Sequence, residues 1–319
     1  MFTHGTILAL FKNTIDESIS SPMLTGFPNV IRAVAGASLP ATLENLRRLG
    51  IEPSLAILTG RLYVEERPDL VQTIRSTFPS AEILLLTSDT DPFPDLQALA
   101  ADRVRHLAIN PVAGSGDGEE PRTLFLSAVQ NLVAGRPWEI ADYVSPGTTI
   151  REFAVASSAQ KEELIALVEA AIPADSPESD QLRQRVALLA DEMLENALYG
   201  APAGADGSKL FHKGEERALL PGEWIVFRFG YDGETLAMEV ADGWGSLSPD
   251  LVLDYLAMNQ SGDLLREDTG GRGLFIIWRF LDHFHVSITP GRQTVVGGHV
   301  RASLPLDPEA PRGFHISTH

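Results

Sequence analysis

Up to about residue 135, short apolar runs alternate with segments whose apolar residues recur at helical spacing. The runs cover residues 6–11, 29–35, 54–59, 82–87 and 104–109, and the helical segments include 39–49 and 68–78. Such βα alternation predicts a parallel, doubly wound sheet with helices on both faces. A last helix is expected over 121–134, after a Gly/Asp/Glu loop at 114–120. Residues 135–149, with Pro137, Pro146 and Gly147, read as a linker.

Beyond it the order changes. A strand at 150–156 and a helix at 159–171 precede a long helix at 179–199. Strands at 224–231 and 235–241, helices at 249–258 and 273–281, and strands at 285–289 and 294–304 follow. This order predicts an α+β layer with one largely antiparallel sheet. The expected organisation is therefore an α/β, flavodoxin-like domain over 1–138 and an α+β domain over 139–319.

Composition narrows the function classes. The chain has 319 residues, 44% of them hydrophobic, enough apolar material for real cores and too much for a disordered protein. A net charge of −18, carried mostly beyond residue 140, argues against a nucleic-acid partner. The absence of cysteine excludes disulfides, thiolate metal sites and thiol nucleophiles. The apolar run near the N-terminus lacks a basic flank and is too short to span a bilayer, and nothing longer follows. A cytoplasmic protein with no membrane insertion is expected.

In strand order and spacing, residues 5–135 resemble a response-regulator receiver domain. That resemblance implies an acid pair after the first strand, a phospho-acceptor Asp ending the third and a Lys after the fifth. Here Phe11 and Lys12, Thr59 and Asn110 stand at those places, and only Thr87 keeps the hydroxyl of the pattern. Without those carboxylates, Mg²⁺ binding and acyl-phosphate formation are not expected. An unrelated flavodoxin-like domain is the alternative; either way this half reads as a binding or dimerisation module.

The second half holds the informative constellation. In the helix containing LLADEMLENALYGAP, Leu182, Val186, Leu189, Ala190, Met193, Leu194, Ala197 and Leu198 form one apolar stripe. Glu192 and Asn196 lie one turn apart beside it, a carboxylate and an amide oxygen that suit a Mg²⁺ ion and an activated water. On their own they read more readily as an ordinary solvated face. LAMEVADGWGSL then ends a strand in Asp242, with Gly245 in the following turn; Asp242 can accept from an amino group, or merely shape a hairpin. EDTGGRGLFIIW sets Gly270, Gly271, Arg272 and Gly273 before an apolar helix, where backbone N–H groups can meet phosphates. Thr294 opens the last predicted strand.

Taken in this order, over residues 148–306, these motifs resemble the GHKL, or Bergerat-fold, ATPases: histidine-kinase catalytic domains, anti-sigma kinases and gyrases. The anti-sigma-like subset is nearest in style, because a short GGRGL lid appears without a phospho-acceptor helix. The resemblance implies ATP and Mg²⁺ as ligands, with Glu192 as general base and Asn196 as Mg²⁺ ligand. It implies Asp242 on the adenine amino group with Gly245 beside it. Gly270, Gly271, Arg272 and Gly273 would belong to the lid, and Thr294 would line the adenine pocket. The sequence departs at Trp244, where a glycine is usual, at Phe275, where the lid usually ends in glycine, and at Tyr199–Gly200, which replace a basic pair.

Other candidates point away from chemistry. His283 and His285 lack a third ligand and read as partly exposed residues at a helix-to-strand junction. Ser246 and Ser248 have no His/Asp partners. A phosphate-neutralising lysine would be Lys209 or Lys213. Two functions stay open: a signalling ATPase or kinase that phosphorylates a partner protein on Ser or Thr, and a catalytically silent regulator that works through nucleotide occupancy or protein contacts. A signalling protein, or a second copy of the chain, is the expected partner.

Overall fold

The computed structural model describes residues 5–36, 39–88, 93–110, 119–203, 210–257, 272–302 and 312–319. The chain divides into two compact units, Met1–Pro137 and Trp138–His319.

The first unit is a mixed α/β layer. Its strands β1 (Thr6–Phe11), β2 (Val30–Val34), β3 (Pro53–Thr59), β4 (Glu82–Ser88) and β5 (His106–Asn110) lie in the order β2-β1-β3-β4-β5, all parallel. Strands β1, β3 and β4 are buried along nearly their whole length, as a sheet covered on both faces requires. Its helices are α1 (Thr14–Ser20), α2 (Leu39–Arg48), α3 (Gly60–Glu66), α4 (Asp69–Thr77), α5 (Leu96–Ala101) and α6 (Glu119–Ala134). The helix expected over 68–78 is α4, and a separate α3 precedes it. Pro68, which has no N–H to donate, stands between them. α1 escapes a periodicity search because it is one short turn pair with Ile15 and Ile19 exposed. Its start is written by Asn13, whose side chain accepts from the N–H groups of Ile15 and Asp16.

The second unit is built on β6 (Arg151–Val155), β7 (Ile225–Tyr231), β8 (Thr235–Asp242), β9 (His283–Thr289), β10 (Gln293–Arg301) and β11 (Gly313–Thr318). Their order is β11-β9-β10-β8-β7-β6, antiparallel except for the β11–β9 pair. Its helices are α7 (Lys161–Ala171), α8 (Pro177–Glu195), α9 (Pro249–Ala257) and α10 (Arg272–Phe280), and α8 packs on α7, α10, β8 and β10. All eight residues of the apolar stripe on α8 and its continuation are buried. Strand β11 was not expected: only three apolar-compatible positions mark it, and its parallel partner lies about thirty residues away, beyond the reach of local pattern.

Two expectations are corrected here. Residues 135–149 are not an open linker: Trp138, Ile140 and Tyr143 are buried, with a 3₁₀ turn at Ile140–Asp142 capped reciprocally by Glu139 and Asp142. His283 and His285 are not partly exposed either, at 5% and 0%. They sit on β9 between two neighbours, and the Tyr143 hydroxyl meets one nitrogen of each ring, 2.8 Å from His283 Nδ1 and 3.1 Å from His285 Nδ1, while His285 Nε2 faces Glu239 at 3.4 Å. Trp138 and His315 stack beside them at 4.7 Å, and Tyr143 lies 4.7 Å from the His299 ring. Burial pushes the His283 pKa well below that of an ordinary histidine, and the neighbouring His299 and His285 push it further. Among the described residues, no group of three or more His, Cys, Asp or Glu is arranged to hold a metal ion.

Candidate functional site

The site residues gather where α8 meets the start of α10. α8 is capped by Ser176, whose side chain accepts from the Ser179 N–H, and runs to Glu195. It then widens into a π turn, Asn196–Gly200, closed by the Ala201 N–H donating to the Asn196 carbonyl at 2.7 Å. Such turns re-aim side chains and recur at functional sites. Here the change of pitch begins at Asn196 itself.

Gly273 is the contact that the sequence could not show. A Cβ at this position would fall 2.6 Å from Asn196 Oδ1, 2.8 Å from its Nδ2 and 2.9 Å from Glu192 Oε2. The backbone at the beginning of α10 therefore lies directly against the carboxylate–amide pair, at a distance only glycine permits. Arg272, the first residue of α10, is exposed; Gly270 and Gly271 lie outside the described residues.

The pair has unspent polar capacity. Asn196 Nδ2 and Glu192 Oε2 are buried and make no hydrogen bond within the described residues. Buried polar groups are nearly always bonded, and here Asn196 Nδ2 keeps a donor to offer while Glu192 Oε2 faces the Lys213 ammonium. Lys213 Nζ stands 3.5 Å from Glu192 Oε2 and 2.6 Å from Glu195 Oε2. Burial alone would lower the Lys213 pKa, but the hydrogen bond to Glu195 and the charge of Glu192 leave it above that of an ordinary lysine. Lys161 fixes the outer side of the cluster, 2.6 Å from Asp191 and 3.1 Å from Glu195. Of the two lysines expected near phosphate, Lys213 is thus beside Glu192, and Lys209 is outside the described residues.

A second group forms where β8 ends. Asp242 is 5% exposed and pairs with Thr294 in the β8–β10 ladder. Burial pushes its carboxyl up to about 6, although the N–H groups of Trp244, Gly245 and Thr294 draw it down. The Trp244 N–H donates to Oδ1 at 3.0 Å. Three N–H donors do not exhaust a carboxylate's acceptor sites, so Asp242 keeps the capacity to accept one more. The Thr294 hydroxyl is 1% exposed and has no hydrogen-bond partner within the described residues.

Gly245 holds these two strand ends together. It adopts φ +57, and a Cβ there would meet the Thr289 carbonyl at 2.3 Å and the Arg292 nitrogen at 2.6 Å. Its carbonyl accepts from the Gly291 N–H at 3.0 Å, tying the turn after β8 to the β9–β10 hairpin.

Trp244 is engaged. The Arg217 guanidinium lies 5.2 Å from its ring centroid and 4.0 Å from that of Phe211. Arg217 also donates to the Leu198 carbonyl in the π turn and to Glu223 at 2.8 Å. Sequence reading had no signal for this arginine, which joins the turn after β8 to the turn after α8. Phe275 packs 6.2 Å from Trp278, with Arg279 5.9 Å from its ring.

At the corresponding end of the first unit's sheet, the structure alters the expectation that no carboxylate is present. Asp16, from α1, is 9% exposed, accepts from the Lys12 N–H at 2.8 Å and is hydrogen-bonded by the Thr59 hydroxyl. Lys12 Nζ pairs with Glu65. Thr87 Oγ1 is buried without a hydrogen bond within the described residues, and a Cβ on Gly60 would come within 2.6 Å of it. Asn110 closes β5.

No helix among the described residues is long and apolar enough to cross a membrane. No family model matches the chain, and no curated protein matches it. Among solved structures, the Salmonella typhimurium RcsB response regulator, described for its conformational dynamism in DNA interaction, is similar at 13% identity. The match covers 59% of this chain and 91% of that one at a TM-score of 0.30, which is too slight to carry an argument.

Proposed function

We propose that the second unit binds an adenine nucleotide with Mg²⁺ and that the protein acts in signal transduction, its first unit serving as a receiver-like binding module. The observation that carries this reading is the seat of Gly273 against Glu192 and Asn196. It brings a backbone N-terminus, a carboxylate and an amide to one place, with the buried Asn196 Nδ2 making no hydrogen bond within the described residues. The donor set suits the ligand: Asn196 offers a neutral oxygen to a hard cation that keeps most of its ligands from water and phosphate. Asp242 offers an acceptor to an exocyclic amino group, and Lys213 a cation to phosphate. The bound metal would supply charge neutralisation on the phosphates. The first unit's strand order, 2-1-3-4-5, is that of flavodoxin-like sheets, which supports the receiver-like reading of that half.

In the catalytic form of this proposal, Glu192 takes the proton from an attacking hydroxyl of a partner's Ser or Thr, or from water. A second form is favoured by one observation: the ammonium of Lys213 stands 3.5 Å from the Glu192 carboxylate. The ion pair occupies the carboxylate that would take the proton, and the protein then signals by nucleotide occupancy alone. Thermal unfolding with ATP, ADP and GTP, with and without Mg²⁺, tests the common part. A bound nucleotide raises the midpoint as its concentration passes its Kd. Midpoints indifferent to ATP and Mg²⁺ would remove both forms.

A further inference from the structure

Side chains alternate between the two faces of a strand. The face of the second unit's sheet turned away from Asp242 and Thr294 therefore carries Arg228 of β7, Glu239 of β8, His299 of β10, His283 and His285 of β9 and His315 of β11. Residues 138–143 lie over this face. Their 3₁₀ turn packs on β7, β8 and β10, and Trp138, Ile140 and Tyr143 are buried.

One oxygen fastens this segment to β9. The Tyr143 hydroxyl lies 2.8 Å from His283 Nδ1 and 3.1 Å from His285 Nδ1. It has a single hydrogen, so making both bonds means donating to one ring and accepting from the other. Glu239 decides which. On β10, between β8 and β9, a Cβ on Gly297 would fall 2.6 Å from both His285 Cε1 and Glu239 Cβ. The glycine thus lets His285 Nε2 stand 3.4 Å from Glu239 Oε2. A carboxylate can only accept, which keeps the His285 hydrogen on Nε2 and leaves Nδ1 to accept from Tyr143. His283 Nδ1–H then donates to the Tyr143 oxygen. Burial alone would raise the Glu239 carboxyl, but His285 and Arg228 hold it below the usual carboxylate range, and Arg228 donates to Glu239 at 3.0 Å and to Glu152 at 2.6 Å.

The remaining groups around the two rings belong to four elements. Asp142, beside Tyr143, accepts from the Glu139 N–H at 3.1 Å. His299 of β10 and His315 of β11 have ring centroids 6.3 and 4.9 Å from that of His283. Asp282, next to His283 in the chain, is paired with Arg185 of α8 at 2.6 Å. Added protons disturb this arrangement at both rings. On His285 the nitrogen left to take one is Nδ1, whose lone pair accepts from Tyr143. On His283 the charge would lie against the Trp138 ring, 5.0 Å away, where burial and the neighbouring His299 and His285 disfavour it.

We propose that residues 138–143 are an acid-released strap, closed over the sheet at neutral pH and let go when the histidines beneath it take up protons, while the sheet itself stays folded. Release frees the Tyr143 hydroxyl and wets the face that carries Arg228, Glu239 and the histidines. Each proton that the open form binds and the closed form does not raises the opening constant up to tenfold per pH unit. For His283 this regime begins below about 6.5, the ordinary histidine value to which the open form returns it.

The test is amide hydrogen exchange of the full chain at pH 7.5 and 5.5, followed by mass spectrometry and corrected for the intrinsic pH dependence of exchange. The opening constant of residues 138–143 should rise about tenfold if one proton is taken up and about a hundredfold if two are, with β8 and β10 still protected. His283→Phe should remove about tenfold of that rise. Tyr143→Phe, which fills the same space without the hydroxyl, should speed exchange of the strap already at pH 7.5, and serves if His283→Phe does not fold. No rise in the wild type, a rise shared equally by β8 and β10, the full rise in His283→Phe, or wild-type exchange in Tyr143→Phe at pH 7.5 would overturn the proposal.

Discussion

Thr294 stands opposite Asp242 across the β10–β8 ladder and gives its N–H to the Asp242 carboxylate, while its own buried hydroxyl has no partner within the described residues. A strand end that buries a carboxylate beside an unmet hydroxyl is poorly arranged for stability alone. It is well arranged for a base edge that brings both a donor and an acceptor.

Asp242 should therefore trade stability for binding. Its carboxyl titrates at about 6 in the fold, against 3.8 ordinarily. Between those values the folded chain holds the extra proton, so stability falls as pH rises and the full penalty is present above pH 6. Asp242→Asn should gain about 1 to 3 kcal/mol at pH 7.5, and the gain should vanish near pH 4. Urea denaturation at both pH values checks it. The same variant should bind ATP at least about tenfold more weakly, because an acceptor for the amino group becomes a donor.

Gly273→Ala separates the site from the fold. The three atoms nearest the added methyl are at the ends of the Asn196 and Glu192 side chains, which can rotate away, so unfolding free energy should change by less than about 1 kcal/mol. The two site groups would be displaced. Nucleotide affinity should drop at least about tenfold while the circular-dichroism spectrum and urea midpoint stay near wild type. A variant that binds ATP normally would show that the close approach has no part in binding.

Glu192 and Asn196 should fail in different ways. Asn196→Ala removes the neutral oxygen, and the difference between ATP affinities with and without Mg²⁺ should shrink. Glu192→Gln should keep nucleotide affinity and lose any phosphate release. Release at the wild-type rate in Glu192→Gln would leave the glutamate as a partner of Lys213 and nothing more.

The histidine layer predicts acid sensitivity. His283 stays neutral in the fold well below 6.5, so beneath that pH the unfolded chain binds more protons and stability falls as pH falls. Each such proton is worth about 1.4 kcal/mol per pH unit. Denaturation at pH 7.5 and 5.5 should show a smaller loss in His283→Phe, where Tyr143 can still bond His285. An equal loss in the variant would place the acid sensitivity in other groups.

Much of this was legible in the chain. The apolar stripe of α8 is a local period, and the one-turn spacing of Glu192 and Asn196 follows from it. Alternation of β and α in the first half yields the parallel sheet for the same reason. What escaped depends on distant contacts. Lys213 meets Glu192 through a loop, Gly273 reaches Asn196 through helix packing, and Arg217 reaches Trp244 through the turn after β8. His283 looked surface-exposed because nothing local reveals that Tyr143, in a segment with linker composition, folds over it. Asp16 escapes the pattern because its helix is only seven residues long and its one apolar pair, Ile15 and Ile19, is exposed.

The central claim is adenine-nucleotide binding by the second unit, and calorimetric titration of the full chain with ATP at pH 7.5 tests it most directly. One site per chain is expected, with tighter binding in the presence of Mg²⁺ and GTP at least about tenfold weaker, because guanine turns a carbonyl toward Asp242. No saturable heat with ATP, or ATP and GTP bound alike and equally well by Asp242→Asn, would contradict it.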